Sequence, residues 1–514
     1  MSEAIQTLGA NAVLTNSGSI STNGDDAFGI ISSVDADNAT ITNSGSISTM
    51  GTDSDGILSQ GNDAVVTNSG SISVTGLNAI GVNLDGPGPT GVIGDDDNTL
   101  TNSGLISATG SATQAIVGGT GMQTVNLEQG SIIIGTVDLG GGIDTVNING
   151  TGPSTVVTFL GTENINLADD VPGVVVGNTV TTVDPTGQTI QSVAVSELTS
   201  SIHTTIHGRA NGPSASASST PIPASSFAAG AFSSLGDGTF GGGVEIWGEV
   251  FGNNVDREGE STILSFEQEA FGVVSGIETD LSVGRIGLAF GIASSDSQTD
   301  AESIDTETTS YFGGLYGHVD VATDLTLSAN LILGYEDYDN DRLVADNLNG
   351  FETASADFSN VFISPSVSLE YQYEVAQGFY LRPSGSLTYT ASFFDDYTET
   401  GTTRANLTID SRTVHTLNTR IQLAGALVRD AIDVEVRGGF DGRFTDEDDV
   451  DASLAGNSFR FSGSDDESVL GGFIGLRAEM AANDQFSIIA DGEYRAASGD
   501  EDAFSGSLQA TFRF

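Results

Sequence analysis

From about residue 244 to the end of the chain, apolar and polar residues take turns at a period of two, the period of an extended strand with one apolar face. The last run sets Leu508, Ala510, Phe512 and Phe514 against Ser507, Gln509, Thr511 and Arg513. Before it, Phe486, Ile488, Ala490 and Tyr494 oppose Ser487, Asp491, Glu493 and Arg495, and Val434, Val436, Phe440 and Phe444 oppose Glu435, Arg437, Asp441 and Arg443. Earlier still, Phe379, Leu381, Leu387 and Tyr389 stand against Tyr380, Arg382, Ser384 and Thr388. About twelve such runs can be traced: 244–256, 267–281, 284–297, 308–320, 325–338, 355–373, 378–394, 412–428, 432–445, 468–481, 485–497 and 505–514.

A soluble sandwich alternates in the same way, so the connections decide. Long ones (DREGESTILSFE, DSQTDAESIDTE, 339–354, TETGTTRANLTID, 446–467, SGDEDAF) alternate with short ones (DLSVG, VDVATD, EVAQG, RDAID, AANDQ). An even strand count with long loops at one end and tight turns at the other describes an outer-membrane barrel; sandwiches and propellers have no reason for such sidedness. A bilayer gives each strand room for about 9–11 residues, and closure satisfies every backbone group. An arginine on the lipid face would cost ~2–4 kcal/mol near the midplane. The polar side therefore belongs to the lumen, where Arg382, Arg420, Arg437, Arg443, Arg477, Arg495 and Arg513 are expected to meet Glu245, Glu249, Glu435, Glu479, Asp491 and Glu493.

The first section repeats itself. TNSGSIS stands at 15–21, 42–48 and 67–73 and returns as TNSGLIS at 101–107, with successive starts 27, 25 and 34 residues apart. Alignment of the copies gives apolar columns: Leu14, Ile41, Val66 and Leu100; Ile20, Ile47, Ile72 and Ile106; Ile30, Ile57, Val82 and Ile116. Three apolar columns per repeat with Gly, Asn and Ser turns describe one coil of a parallel β-helix, which buries its core only when coils stack. Asn16, Asn43, Asn68 and Asn102 then form a structural ladder, each amide bonding to the next. DGPGPTGVIGDDD at 85–97 lengthens the third interval and reads as a loop pushed out of one coil, the usual place for recognition on a solenoid. TVNL at 124–127, TVNI at 145–148, NINL at 164–167 and VPGVVV at 171–176 read as the last, atypical coils.

The stretch 191–209 has no internal Gly or Pro before its end, and Val195, Leu198, Ile202 and Ile206 fall at helical spacing, which predicts one helix. Residues 210–243 are rich in Ser, Ala, Pro and Gly and read as a linker. The expected organisation is a β-helical segment over 1–180, a helix and linker over 181–243, and a barrel over 244–514.

Charge removes one class of function. Fifteen basic residues face 69 acidic ones, for a net −54; all fifteen are Arg, and the first is Arg209. Two hundred residues without a cation cannot clamp a phosphate backbone, so no nucleic-acid partner is expected. An apolar share of 38% and 67 Gly suit turn-rich β structure better than disorder. The absence of Cys removes disulfides, and it suits a chain that crosses a membrane unfolded. No apolar run reaches the ~18 residues of a spanning helix, and no basic-then-apolar signal peptide opens the chain. Because residue 1 falls inside the repeat register, further coils and a signal are expected upstream of Met1.

Taken together, the TNSGSIS repeats, the stretch VDPTGQTIQSVAVSELTSSIH, the barrel opening VEIWGEVFGNN and the terminal FRF resemble the monomeric autotransporters of type V secretion, over nearly the whole chain. The resemblance implies an all-β chain: a 12-stranded antiparallel transmembrane barrel with a helix in its pore, preceded by a right-handed parallel β-helix displayed on the surface of a bacterial outer membrane. It implies outer-membrane lipid and the barrel-assembly machinery as partners, with Phe512 and Phe514 in the assembly signal. It makes Val195, Leu198, Ile202, His203, Ile206 and His207 part of the pore helix.

Candidate chemistry is sparse. His203 and His207 in HTTIH share a helical face, but the motif lacks the Glu of HExxH, and lining a polar pore is the simpler reading. A Ser-His-Asp site needs a histidine, and none precedes residue 203. Acidic clusters at 25–26, 95–97, 446–451 and 465–467, and GGGIDTVNI at 140–148, read as solvated turns rather than calcium sites. The expectation is a monomer without catalysis, cofactor or bound metal. Its displayed segment acts as a stalk or adhesin toward ligands on host or neighbouring cells. Two alternatives are a cargo enzyme or toxin whose active domain lies upstream, and a diffusion porin.

Overall fold

The computed structural model describes residues 4–85, 97–150, 152–209, 244–260, 262–281, 284–429, 432–447, 449–463, 468–483 and 485–513. The proposed loop over 85–97 lies largely outside them, and the linker over 210–243 and Phe514 lie outside entirely.

The repeats wind into coils of a parallel β-helix. Val13–Asn16, Thr40–Asn43, Val65–Asn68, Thr99–Asn102, Thr124–Leu127, Thr145–Ile148 and Asn164–Leu167 form one parallel sheet. Ser19–Thr22, Ser46–Thr49, Ser71–Val74, Leu105–Ala108 and Ile132–Ile134 form a second. The third face carries Ile30–Ser32, Ile57–Ser59, Ile80–Asn83, Gln114–Val117 and Thr136–Asp138. Register is set by the alternation: a slip of one residue would turn each isoleucine to solvent. The three columns meet in one core with Ile41, Ile47, Ile57, Val66, Ile72, Val82, Leu100, Ile106 and Ile116 buried. Each such side chain contributes about 1.5–3 kcal/mol of transfer free energy.

Buried amides must be satisfied, and the asparagine column does this between coils. Asn16 donates to Asn43, Asn43 to Asn68, and Asn68 to Asn102, each at 2.8 Å. Asn102 ends the row by donating to Ser131 Oγ at 2.7 Å. Below the array, Ser154–Leu160, Gly173–Val176 and Thr179–Thr182 pair antiparallel and close the stack. The segment therefore runs to Thr182, and a boundary drawn at 180 cuts its last strand.

Twelve antiparallel strands form the second unit: Val244–Arg257, Phe266–Leu281, Gly284–Thr299, Ile304–Ala322, Leu325–Asp346, Gly350–Tyr371, Phe379–Phe394, Arg412–Val428, Ile432–Glu447, Val469–Asn483, Phe486–Ala497 and Glu501–Arg513. The last pairs with the first from Glu245↔Arg513 to Arg257↔Glu501, so the sheet closes without an edge. The outward side of each strand is apolar. Phe271, Phe290, Leu315, Leu333, Leu387, Ile421, Leu470, Ile474 and Leu508 stand exposed, and Phe440 is 77% exposed. A belt of this size in water would be an aggregation surface; in a bilayer it is solvated by lipid.

Several of the expected long loops are strands. Leu325–Asp346 and Gly350–Tyr371 are paired through their whole length, so 339–354 is a tall hairpin turning at residues 347–349. Tyr397–Thr398, Leu407–Ile409, Val450–Leu454 and Asn457–Phe461 build a four-stranded sheet from two further expected loops. These extensions were hidden because their strands are short or mix Asn340 and Arg342 with Val344 on the inward face, and above the bilayer the outward face carries polar residues.

The helix spans Thr186–Arg209, five residues longer at its start than the periodicity suggests. Asp184 Oδ1 accepts from Thr186 N at 3.0 Å and from Thr186 Oγ1 at 2.6 Å, with Pro185 between them. An Asp cap followed by Pro in the first turn is a strong start signal, and it outweighs the cost of Gly187.

Two buried acids link the β-helix to pH. Asp55 accepts from Ile80 N and Asn83 Nδ2, both at 2.9 Å, and burial pushes its carboxyl up from about 3.8 to about 6. Asp144, which accepts from Gln123 N at 2.6 Å, is pushed up by burial to about 6 as well. The folded state thus holds more protons than the unfolded chain between roughly pH 4 and 6, where the unfolded carboxyls titrate near 3.9. Stability is fullest below that window and falls as pH rises through it. Thermal melts of the β-helical signal should give a higher midpoint at pH 4.5 than at pH 7, and Asp55→Asn should flatten that slope.

Candidate functional site

The lumen brings apolar and charged side chains together around a single element, the helix Thr186–Arg209. Its walls differ. On the first six strands the inward residues include Trp247, Phe251, Val274, Ala289, Phe312, Tyr316, Ile332 and Phe362, and these pack on Val195, Leu198, Ile202 and Ile206 in one cluster. Ile190 and Val193 continue the stripe against Val255, Phe266 and Ile304.

Space for the helix comes from glycine. Trp247 faces Gly276 across the strand pair, Phe251 faces Gly272, Tyr316 faces Gly287, Phe312 faces Gly291 and Phe362 faces Gly334. A Cβ on Gly334 would stand 2.1 Å from the Phe362 ring, and one on Gly276 2.4 Å from Trp247. Each ring therefore lies down along the wall over a missing side chain, a device known from aromatic–glycine pairs in sheets.

The opposite wall is charged. Arg437 reaches Asp491 at 2.6 Å and Glu493 at 2.9 Å, and Arg420 reaches Glu493 at 2.5 Å. Arg495 reaches Asp441 at 2.9 Å and Glu501 at 2.5 Å; Arg443 shares Glu501 and meets Glu197 of the helix at 3.2 Å. Arg382 pairs with Glu435 at 3.0 Å, and Arg477 donates to the Gly208 carbonyl at 3.2 Å. Arg513 pairs with Glu245 at 2.7 Å, while Glu249 accepts from Thr205 at 2.7 Å. The cations expected to face the lumen thus all do, but Arg443 and Arg477 hold the helix rather than only each other's neighbours on the wall. A cavity of about 550 Å³ remains beside Thr204, His207 and Gly208, lined by Arg382, Glu435 and Glu479 among others.

The histidines are taken by hydroxyls. His203 Nε2 shares a hydrogen bond with Ser364 at 2.7 Å, and His207 meets Ser366 at 2.9 Å and Ser368 at 3.0 Å. They tie the helix to the Gly350–Tyr371 strand.

Sequence reasoning missed the anchor at the helix end. Arg209 donates to Glu278 at 2.6 and 2.9 Å and to Glu245 at 2.5 Å, and its guanidinium lies 4.6 Å over the Trp247 ring. Tyr316 donates to Glu278 at 2.7 Å and accepts from Trp247 Nε1 at 2.7 Å. The available signal was position: Arg209 is the first cation in the chain and closes the helix, where a positive charge is favoured. At the other end, Thr189 donates to the Gly463 carbonyl at 2.8 Å, and Arg412 donates to Gln191 at 2.5 Å. The helix is held at both rims.

Two substitutions test this arrangement. Arg209→Ala leaves buried carboxylates short of a partner, a loss of up to about 3–5 kcal/mol for an uncompensated pair; in planar bilayers it should open more often and pass more current than the wild type. Gly334→Val drives Phe362 toward the helix and should lower barrel stability by about 1–3 kcal/mol, read as a lower temperature for loss of the compact gel form in detergent.

Comparison with known proteins agrees with this geometry. Residues 246–493 match the family model described as Autotransporter beta-domain. Outer membrane protein B of Rickettsia rickettsii is 24% identical over 174 residues, covering 32% of this chain and 10% of that protein; the Rickettsia typhi protein of the same name is 26% identical over 175 residues, covering 32% and 11%. The chain thus spans about a tenth of the length of these relatives. The translocator domain of autotransporter NalP from Neisseria meningitidis aligns over 63% of this chain and 98% of its own, at 15% identity and a TM-score of 0.48. The C-terminal half of this chain, a closed barrel of twelve strands around one helix, is an autotransporter β-domain of the bacterial outer membrane, and the β-helix ahead of it is its surface-exposed passenger.

Proposed function

We propose that the barrel exports and anchors the passenger, and that the passenger works as a surface stalk or adhesin without catalytic activity. One observation carries the reading: the chain leaves the β-helix at Thr182, turns at Asp184 and Pro185, and runs down the lumen to Arg209 beside the first strand's Glu245 and the last strand's Thr511. A chain threaded through its own pore, with one end outside and the other at the rim of short turns, is what remains when the segment ahead of it has passed through.

Composition supports a binding role. No histidine stands in residues 1–202 and the sequence has no cysteine, so residues 1–182 offer no activated nucleophile of the Ser-His or Cys-His kind. The passenger's coils are rigid, repetitive and acidic, which suits reach and solubility. Lipid around the barrel, the assembly machinery reading a terminus that includes Phe512 and Phe514, a monomeric state, and cell-surface ligands for the passenger belong to the same reading. A diffusion porin is disfavoured by a helix bonded to the wall at both ends.

Protease added to intact cells at a dose that digests even the folded β-helix should remove residues 1–170 and spare 244–514. Uniform digestion, or full protection of the passenger at that dose, would contradict the topology. Deleting residues 186–209 should raise single-channel conductance, and an unchanged conductance would mean that the helix does not occupy the conducting path.

A further inference from the structure

One side of the passenger carries no charge over seven coils. It is the outward side of the parallel sheet that runs from Val13–Asn16 to Asn164–Leu167, and its inward side is the buried column of Leu14, Ile41, Val66 and Leu100. Pairing along this sheet runs in register through all seven strands, so the outward residues stand in two columns. One column holds Thr40, Thr99, Thr124 and Thr145, with valine, which has the shape of threonine, at 13 and 65. The other holds Thr15, Thr42, Thr67 and Thr101 and continues as an asparagine ladder. In that ladder Asn147 donates to Asn126 at 2.8 Å and Asn166 to Asn147 at 2.9 Å.

The chain carries 69 acidic residues against 15 cations, yet the seven strands and the five of the adjoining Ser19–Thr22 sheet contain no Asp or Glu. Asp25, Asp37, Asp53 and Asp63 stand in the turns instead. A face that served only to keep a stalk soluble would mix charges through its surface. An uncharged, regular face fits a partner that is neutral, polar and itself periodic. Adjacent coils lie about 4.8 Å apart and outward residues of one strand about 6.7 Å apart, both close to the repeats of oxygen atoms on a prism face of hexagonal ice. Six such steps make an array roughly 29 Å long. Threonine and valine are stiff at χ1, so methyls and hydroxyls recur in one attitude and little side-chain freedom is lost on contact. A saccharide calls for a concave site lined by aromatic rings. Residues 1–182 hold two aromatics, Phe28 and the buried Phe159, and neither belongs to this sheet.

We propose that this threonine face binds ice, so that the displayed passenger holds the cell against a frozen surface. The threonine hydroxyls bond to water molecules fixed in the crystal, and the methyls of threonine and valine sit in the hollows between them. Each contact contributes little, because a hydroxyl exchanges one water partner for another. The array makes them together, and linked contacts bind far more tightly than single ones. Charge on the face would impose its own hydration shell on the crystal, which is why the acids are confined to the turns. The inference rests on the adhesin reading above and names its ligand.

The test uses living cells that display the full chain. A stirred suspension is frozen slowly from one side, and cells are counted in the ice and in the remaining liquid; adherence to glass and to cellulose is counted in parallel. Cells with the chain should be enriched in the ice over cells without it on the order of a hundredfold, as many linked weak contacts allow. Thr42→Lys combined with Thr101→Lys places two charges within the array and should return the cells to the liquid. Thr42→Ser with Thr101→Ser, which keeps both hydroxyls and removes two methyls, should lower capture to an intermediate level. Ser46→Lys with Ser71→Lys, on the adjoining sheet, should leave capture as in the wild type. Equal resistance of the displayed passengers to protease shows that the coils are folded in every variant. Absence of enrichment in the wild type overturns the proposal, and so does undiminished capture of the lysine variant at 42 and 101 or equal loss in the variant at 46 and 71. Retention on cellulose without entry into ice, lost with the threonine substitutions, would give the face to a polysaccharide and overturn ice as its ligand. Cells that enter no ice and adhere to neither solid would count against the adhesin reading itself.

Discussion

A polypeptide that crosses a bilayer has no water to satisfy its backbone, so each amide must find its partner within the protein. Here the constraint is met by pairing the first strand to the last along thirteen residues, Glu245 to Arg257 against Arg513 to Glu501. Everything else follows from that closure. It creates an outside, which must be apolar, and an inside that no solvent choice dictates. The alternation along each strand is the one-dimensional trace of this division.

The inside is where the protein spends its chemistry. A barrel of twelve strands leaves a lumen too wide for side chains alone, and here a helix fills it. The helix is neither amphipathic toward water nor uniformly apolar. It lays Leu198, Ile202 and Ile206 on an aromatic wall and turns Glu197, Thr205 and His207 toward charged or hydroxyl-bearing strands. The aromatic wall stays thin because Gly276, Gly287 and Gly334 let the opposing rings lie flat. On the charged wall Arg382, Arg420, Arg437, Arg443 and Arg495 each have an acid at hydrogen-bonding distance, as burial of charge requires, while Arg477 is held by the Gly208 carbonyl.

The passenger answers a different problem with a similar solution. Its coils pair through parallel ladders, and the asparagine column joins them through side chains. An open stack of coils still has ends. At the lower end the antiparallel strands 173–176 and 179–182, and then the hairpin tip at 344–347, cover the exposed edge. The two units are thus continuous in hydrogen bonding, and Arg404 reaches across the join.

How much of this was legible depended on whether local pattern or distant contact decided each feature. The repeat columns, the asparagine row, the twelve alternating runs, the lumenal arginines and the helix with its Val195, Leu198, Ile202 and Ile206 stripe were all readable, because a period of two or a repeat of some twenty-five residues is written in neighbouring positions. The helix start was misread because Gly187 counted against it while the cap at Asp184 went unweighed. The tall hairpin was read as a loop because, clear of the bilayer, its inward face mixes Asn340 and Arg342 with Val344 and Ala354, and its outward face is mostly polar, so no clean alternation announces it. Partner identity was not legible at all. That Arg209 meets Glu278, that Trp247 lies over Gly276, and that Asn347 bonds to the Thr158 backbone are consequences of barrel circumference and strand stagger. Those are set by how the strands close on one another, a property of the assembled sheet that no single stretch of sequence contains.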